Sequence, residues 1–176
     1  MTIRIGLATL AGLITTLALA GAPDLQSGTP VIHLSDNLDE PDALGWCIDT
    51  KGRGFNTDLH AHSCKPGTRG PTDTQFAYDP TSALVRSVPF DTYCMAWRGA
   101  AEPVFPLGLI ECDPDDERQR FDHDAQSGEI RVRGDSSLCV VVGATSTSAG
   151  PFVSRDLLVA ACADIAPRFK RWTVLD

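Results

Sequence analysis

Six cysteines, spaced as three couples, constrain this 176-residue chain more than any other feature of its sequence: Cys47 with Cys64, Cys94 with Cys112, and Cys139 with Cys162. The first members recur after 47 and 45 residues and the second members after 48 and 50. An even count without a C-x-x-C pair argues for disulfides in an exported protein, not for metal binding or free thiols. Six cysteines allow about 15 pairings, and the spacing narrows these to one bridge within each couple. Each loop so closed removes roughly 3 kcal/mol of unfolded-state freedom in the chain-entropy account.

The repeat extends beyond the cysteines. An aromatic follows each second cysteine, at Phe76, Phe121 and Trp172, and Phe76-Ala-Tyr-Asp79 with Val85-Arg86 lines up with Phe121-Asp-His-Asp124 with Ile130-Arg131. Periods of this length signal a repeat architecture, in which one unit cannot bury its own apolar face. The apolar pieces inside the repeats are short: Leu44 to Ile48, Leu84-Val85, Ile130 to Val132, Leu138 to Val142, Leu157 to Ala161 and Phe169 to Leu175. The last of them alternates with a period of two, and turn formers such as Lys51-Gly-Arg-Gly54, Asp79-Pro80 and Gln126-Ser-Gly128 separate them. No amphipathic helix stands out. Short strands at regular spacing predict an all-β barrel or sandwich, and three copies are too few for a propeller.

The N-terminus predicts export. One positive charge at Arg4 precedes an uncharged run from Ile5 to Leu19, shorter than the ~20 apolar residues of a membrane span, and Ala18-Leu19-Ala20 offers a cleavage site. Residues 1–20 are therefore read as a signal peptide, and the protein as secreted or periplasmic, with no membrane insertion expected. Residues 21–40 are polar, with Pro23, Gly28 and Pro30, and read as a tail or a first wrapping strand. The chain carries a net charge of -8, which loss of Arg4 would deepen. An acidic surface repels phosphate backbones, so nucleic acid is not expected as a partner.

The order cysteine, strand, cysteine, then a Q-x-aromatic element, repeated three times, resembles the ricin B-type lectin domain. The Q-x-W hallmark persists as Gln119-Arg-Phe121 and in altered form as Thr74-Gln-Phe76 and Lys170-Arg-Trp172. The resemblance covers about residues 40–176 and implies a β-trefoil over 41–176, with repeats at about 41–88, 89–134 and 135–176. It also implies that Phe76, Phe121 and Trp172 pack in the common core, and that the function is carbohydrate binding without catalysis or cofactor. Galactose-type sugars are the ligand class that it suggests.

Sites of that family need a carboxylate after the first cysteine, a ring two residues before the second, and a polar residue just before the Q-x-W element. The first repeat supplies Asp49, His62 and Asp73, with Gln75 inside the element itself. The second repeat has Ala96 and Ile110 at the first two positions, and the third has Val141 and Ala160, so one sugar site in the first repeat is expected. A protein-interaction trefoil with a vestigial sugar site, such as the targeting subunit of a toxin or a protease inhibitor, is the alternative; its partner would be a toxin chain or a cell-surface protein.

Three other patterns carry less. His60-Ala-His62-Ser-Cys64 puts two imidazoles and a sulfur on one strand face, but Cys64 is needed for its bridge and no further ligand is evident, so no metal is expected. Gly134-Asp-Ser-Ser137 lacks the base and oxyanion donors of a serine nucleophile. Asp113-Pro-Asp-Asp-Glu117 lacks calcium-loop spacing and reads as a solvated loop.

Overall fold

A computed structural model describes residues 21–67, 72–99 and 104–176. The expected signal peptide, residues 1–20, lies outside the described residues. Thirteen antiparallel strands form one connected sheet: β1 (Val31–Leu34), β2 (Trp46–Thr50), β3 (Leu59–Ser63), β4 (Phe76–Asp79), β5 (Leu84–Ser87), β6 (Tyr93–Trp97), β7 (Val104–Glu111), β8 (Phe121–Asp124), β9 (Glu129–Val132), β10 (Asp135–Val142), β11 (Thr147–Ala149), β12 (Phe152–Ala161) and β13 (Trp172–Leu175). Three single 3-10 turns are the only helical elements among the described residues. The expected all-β class is what the chain adopts. The segment read as a tail or a wrapping strand supplies β1, whose Ile32 and Leu34 are fully buried in the main core.

The same pairings recur along the chain. β2 with β3, β6 with β7, and β10 with β12 are hairpins. The incoming strand of each pairs with the strand before it, as β1 with β2, β5 with β6, and β9 with β10. Three further pairs, β4 with β5, β8 with β9, and β13 with β1, recur at matching places. One backbone hydrogen bond marks each of these pairs: Ser35 N–H to Arg171 O, Val88 N–H to Gln75 O, and Arg133 N–H to Arg120 O, at 2.8, 2.9 and 2.9 Å. Its acceptor is in each case the residue just before Trp172, Phe76 or Phe121. Those three aromatics open β13, β4 and β8, and each is buried in the core as expected. Trp172 also donates its indole N–H to Val140 O at 2.9 Å, which satisfies the only polar atom it takes inside.

All three bridges form as the cysteine spacing predicts, Cys47–Cys64, Cys94–Cys112 and Cys139–Cys162, with Cα separations of 5.0, 4.9 and 5.1 Å. Each ties the start of a hairpin to its end, so the bridge and the strand register support the same pairing. Three structural disulfides fit an oxidising compartment. Among the described residues no helix is long and apolar enough to cross a membrane.

Candidate functional site

Strand alternation builds the site in the first hairpin. Asp49 on β2 stands directly opposite His60 on β3, and Cys47 opposite His62. Successive side chains on a strand point to opposite faces. Asp49, His60 and His62 therefore share one face, while Ile48 and Ala61 point to the other and join the core. Asp49 is fully buried, and His60 and His62 are only 7 and 5% exposed.

Lys65 closes over this face. Its Nζ lies 2.8 Å from Asp49 Oδ2 and 2.8 Å from Asp73 Oδ1. Asp73 receives a hydrogen bond from the ammonium, whereas neither oxygen of Asp49 has a hydrogen-bond partner among the described residues. The contact to Asp49 is thus an ion pair without a well-aligned hydrogen bond. Burial pushes the Lys65 ammonium down, but the Asp49 and Asp73 carboxylates more than offset this and hold its pKa above the ordinary lysine value. His62 moves the other way: burial lowers its pKa, against the opposing pull of its hydrogen bond to the Ser63 carbonyl and of Asp49. Burial therefore favours the neutral ring, whose Nδ1–H is donated to Ser63 O at 2.9 Å.

The third part of the chain completes the wall. β12 pairs with β3, placing Ser154 opposite His62, and Phe152 meets the His62 ring edge to face at 5.5 Å between centroids. Two adjoining clefts result. One of about 440 Å³ is lined by His60, His62, Lys65, Asp73 and Phe152, with Arg53 at its rim. The other, about 590 Å³, shares Lys65, Asp73 and Phe152 and adds Pro89 and Phe90. Both have the size of small-ligand sites, with a few polar groups set among apolar walls.

Of the expected site residues, the structure brings together Asp49, His62 and Asp73. Gln75 goes elsewhere. Its amide nitrogen donates to the carbonyl of Thr29 at 2.8 Å and its oxygen accepts from Thr72 N–H, so it ties the segment ahead of β1 to the turn before β4, and it lines neither cleft. Lys65 and Phe152 are the members that sequence reasoning missed. Lys65 had a local signal, a cation next to Cys64, whereas Phe152 reaches the site only through pairing between distant strands.

The matching faces of the other two hairpins differ, and the residues explain how. In the second, Ala96 faces Gly108. The Arg98 guanidinium lies so close over Gly108 that a side chain there would collide with it, and it pairs with Asp58. In the third, Val141 faces Leu158. Both line an apolar cleft of about 350 Å³ with Ile165 and Phe169. Among the described residues neither face carries a carboxylate beside a ring. In Gly134-Asp-Ser-Ser137, Gly134 ends a turn and the other three residues open β10, where the Ser137 hydroxyl donates to Asp135 at 2.6 Å.

No family model and no curated protein matches this chain.

Proposed function

We propose that this is a secreted carbohydrate-binding protein of the β-trefoil class, similar to ricin B-type lectins, with a single sugar site over the first hairpin. The observation that carries the reading is the meeting of Asp73, Lys65 and His62 with the ring of Phe152 in one cleft. A carboxylate and an ammonium accept from and donate to neighbouring hydroxyls, while an aromatic wall takes the C–H face of a sugar ring. The trefoil assignment is supported by the threefold recurrence of hairpin, bridge and joining hydrogen bond.

Within this reading Asp49 acts from beneath. With no exposed surface it orients Lys65 and is itself out of reach of the sugar hydroxyls. The direct contacts fall to Asp73, Lys65 and His62. The protein is monovalent, because Arg98 fills the second face and aliphatic side chains line the third.

A glycan array with the purified protein tests the proposal, with galactose-type glycans among the expected ligands. Asp73→Ala lowers affinity for the bound glycan about tenfold, as loss of one charged hydrogen bond does. A folded Asp73→Ala protein that binds every glycan as the wild type does, or an array without any bound glycan, refutes the assignment.

A further inference from the structure

Asp49, His60 and His62 each present one ligand atom, and the three atoms lie within 4.8 Å of one another. The cluster is buried, and Asp49 Oδ1, Asp49 Oδ2 and His60 Nε2 all lack a hydrogen-bond partner among the described residues. Buried polar atoms are nearly always paired, and the Lys65 ammonium accounts for Asp49 Oδ2 alone, so Asp49 Oδ1 and His60 Nε2 call for an explanation. His62 adds a second sign. Its Nδ1, which is 3.6 Å from Asp49 Oδ2, is held as N–H on the Ser63 carbonyl, so Nε2 is the nitrogen that keeps a lone pair for an ion. Metal-bound histidines are anchored in this way, one nitrogen on a backbone carbonyl and the other on the ion.

We propose that Asp49, His60 and His62 form a binding site for a zinc-class divalent cation at the floor of the first hairpin. Two imidazoles and one carboxylate suit zinc and its neighbours in the first transition row; calcium and magnesium take oxygen ligands. The three side chains close onto the ion from their present spread, and a coordination position stays open because His60 and His62 line the 440 Å³ cleft. The residues come from one disulfide-closed hairpin, with Asp49 opposite His60, so the ligand set is held by strand register and not by a loop.

Lys65 is the competitor. Its ammonium stands 2.8 Å from Asp49 Oδ2 and equally close to Asp73. An incoming ion displaces it from Asp49 while Asp73 continues to pair with it, so two cations contend for one carboxylate. Nothing in this inference depends on sugar recognition.

Titration of zinc chloride into the chelator-treated, disulfide-bonded protein, followed by calorimetry without any sugar present, gives the test. The wild type takes up one ion per chain. His60→Gln and His62→Gln each weaken binding about tenfold or more, and the control His123→Gln, remote from the site in sequence, leaves it unchanged. Lys65→Met tightens binding about tenfold, the effect of removing a neighbouring unit charge. The site is refuted by the absence of saturable binding, by undiminished affinity in His60→Gln, by equal loss in His123→Gln, or by weaker binding in folded Lys65→Met. Cobalt(II) absorption of the wild-type protein provides a measurement independent of how the variants fold. Bands of a nitrogen-ligated ion are expected, and the spectrum of the hydrated ion alone overturns the proposal.

Discussion

Lys65 Nζ stands 2.8 Å from Asp49 Oδ2, and it is the nearest cation to a carboxylate with no exposed surface. Breaking such a pair leaves a buried charge uncompensated. Lys65→Met is therefore expected to cost about 3 kcal/mol of stability in metal-free solution. Adding Asp49→Asn to that variant restores most of the loss, since the charge goes with its partner. Urea unfolding of both variants checks this, and an undiminished midpoint for Lys65→Met would show that the pair is solvent-screened.

The three bridges span 17, 18 and 23 residues, so their contributions to stability should be alike on entropic grounds. Replacing either Cys47 and Cys64 or Cys94 and Cys112 by alanine pairs should cost about 3 kcal/mol each. The functional consequence differs, because only the first bridge frames Asp49, His60 and His62. Glycan binding by the folded Cys47→Ala/Cys64→Ala protein is expected to fall, while the Cys94→Ala/Cys112→Ala protein retains it.

Trp172 fills the core and donates its indole N–H to Val140 O. Trp172→Ala should cost about 3–5 kcal/mol. Trp172→Phe keeps much of the apolar contact but strands a buried carbonyl, for about 1–3 kcal/mol. Thermal melts that rank the two variants in the opposite order would argue against this packing.

Stability should decline in mild acid through His33. Its side chain is buried in β1 with Nδ1–H donated to Leu34 O, and burial holds its pKa below the ordinary value despite the raising effect of that bond. The unfolded chain then binds a proton first as pH falls. The stabilisation is complete above an unfolded pKa of about 6.5 and is lost as pH drops below it. A comparison of melting temperatures at about pH 7.5 and about pH 5.5 should show a smaller acid-induced drop in His33→Gln than in the wild type.

Much of the architecture was legible because it repeats. Cysteine couples at near-constant period located the hairpins, and the recurrent aromatics Phe76, Phe121 and Trp172 located the core. The i, i+2 spacing of His60 and His62 in the sequence already puts them on one face of a strand. What stayed hidden depends on pairing between distant segments. Phe152 arrives because β12 lies beside β3, whereas Asp49 and His62, expected in one site from their places in the first repeat, meet through the register of β2 with β3. The burial of Asp49 was equally unreadable, since it depends on where the Lys65 side chain lies. Gln75 was expected at the sugar because of its place in the motif, yet its amide finds backbone partners in Thr29, before β1, and in Thr72, before β4.

The pairing of β1 with β13 has a bearing on synthesis. The polypeptide makes its first strand near residue 31 and its partner only near residue 175. Until that strand has been made, the edge of β1 has no mate on one side, and an unmatched edge invites association with other chains. Completion of the body is thus tied to synthesis through β13, and removal of that strand should cause aggregation even with all six half-cystines present.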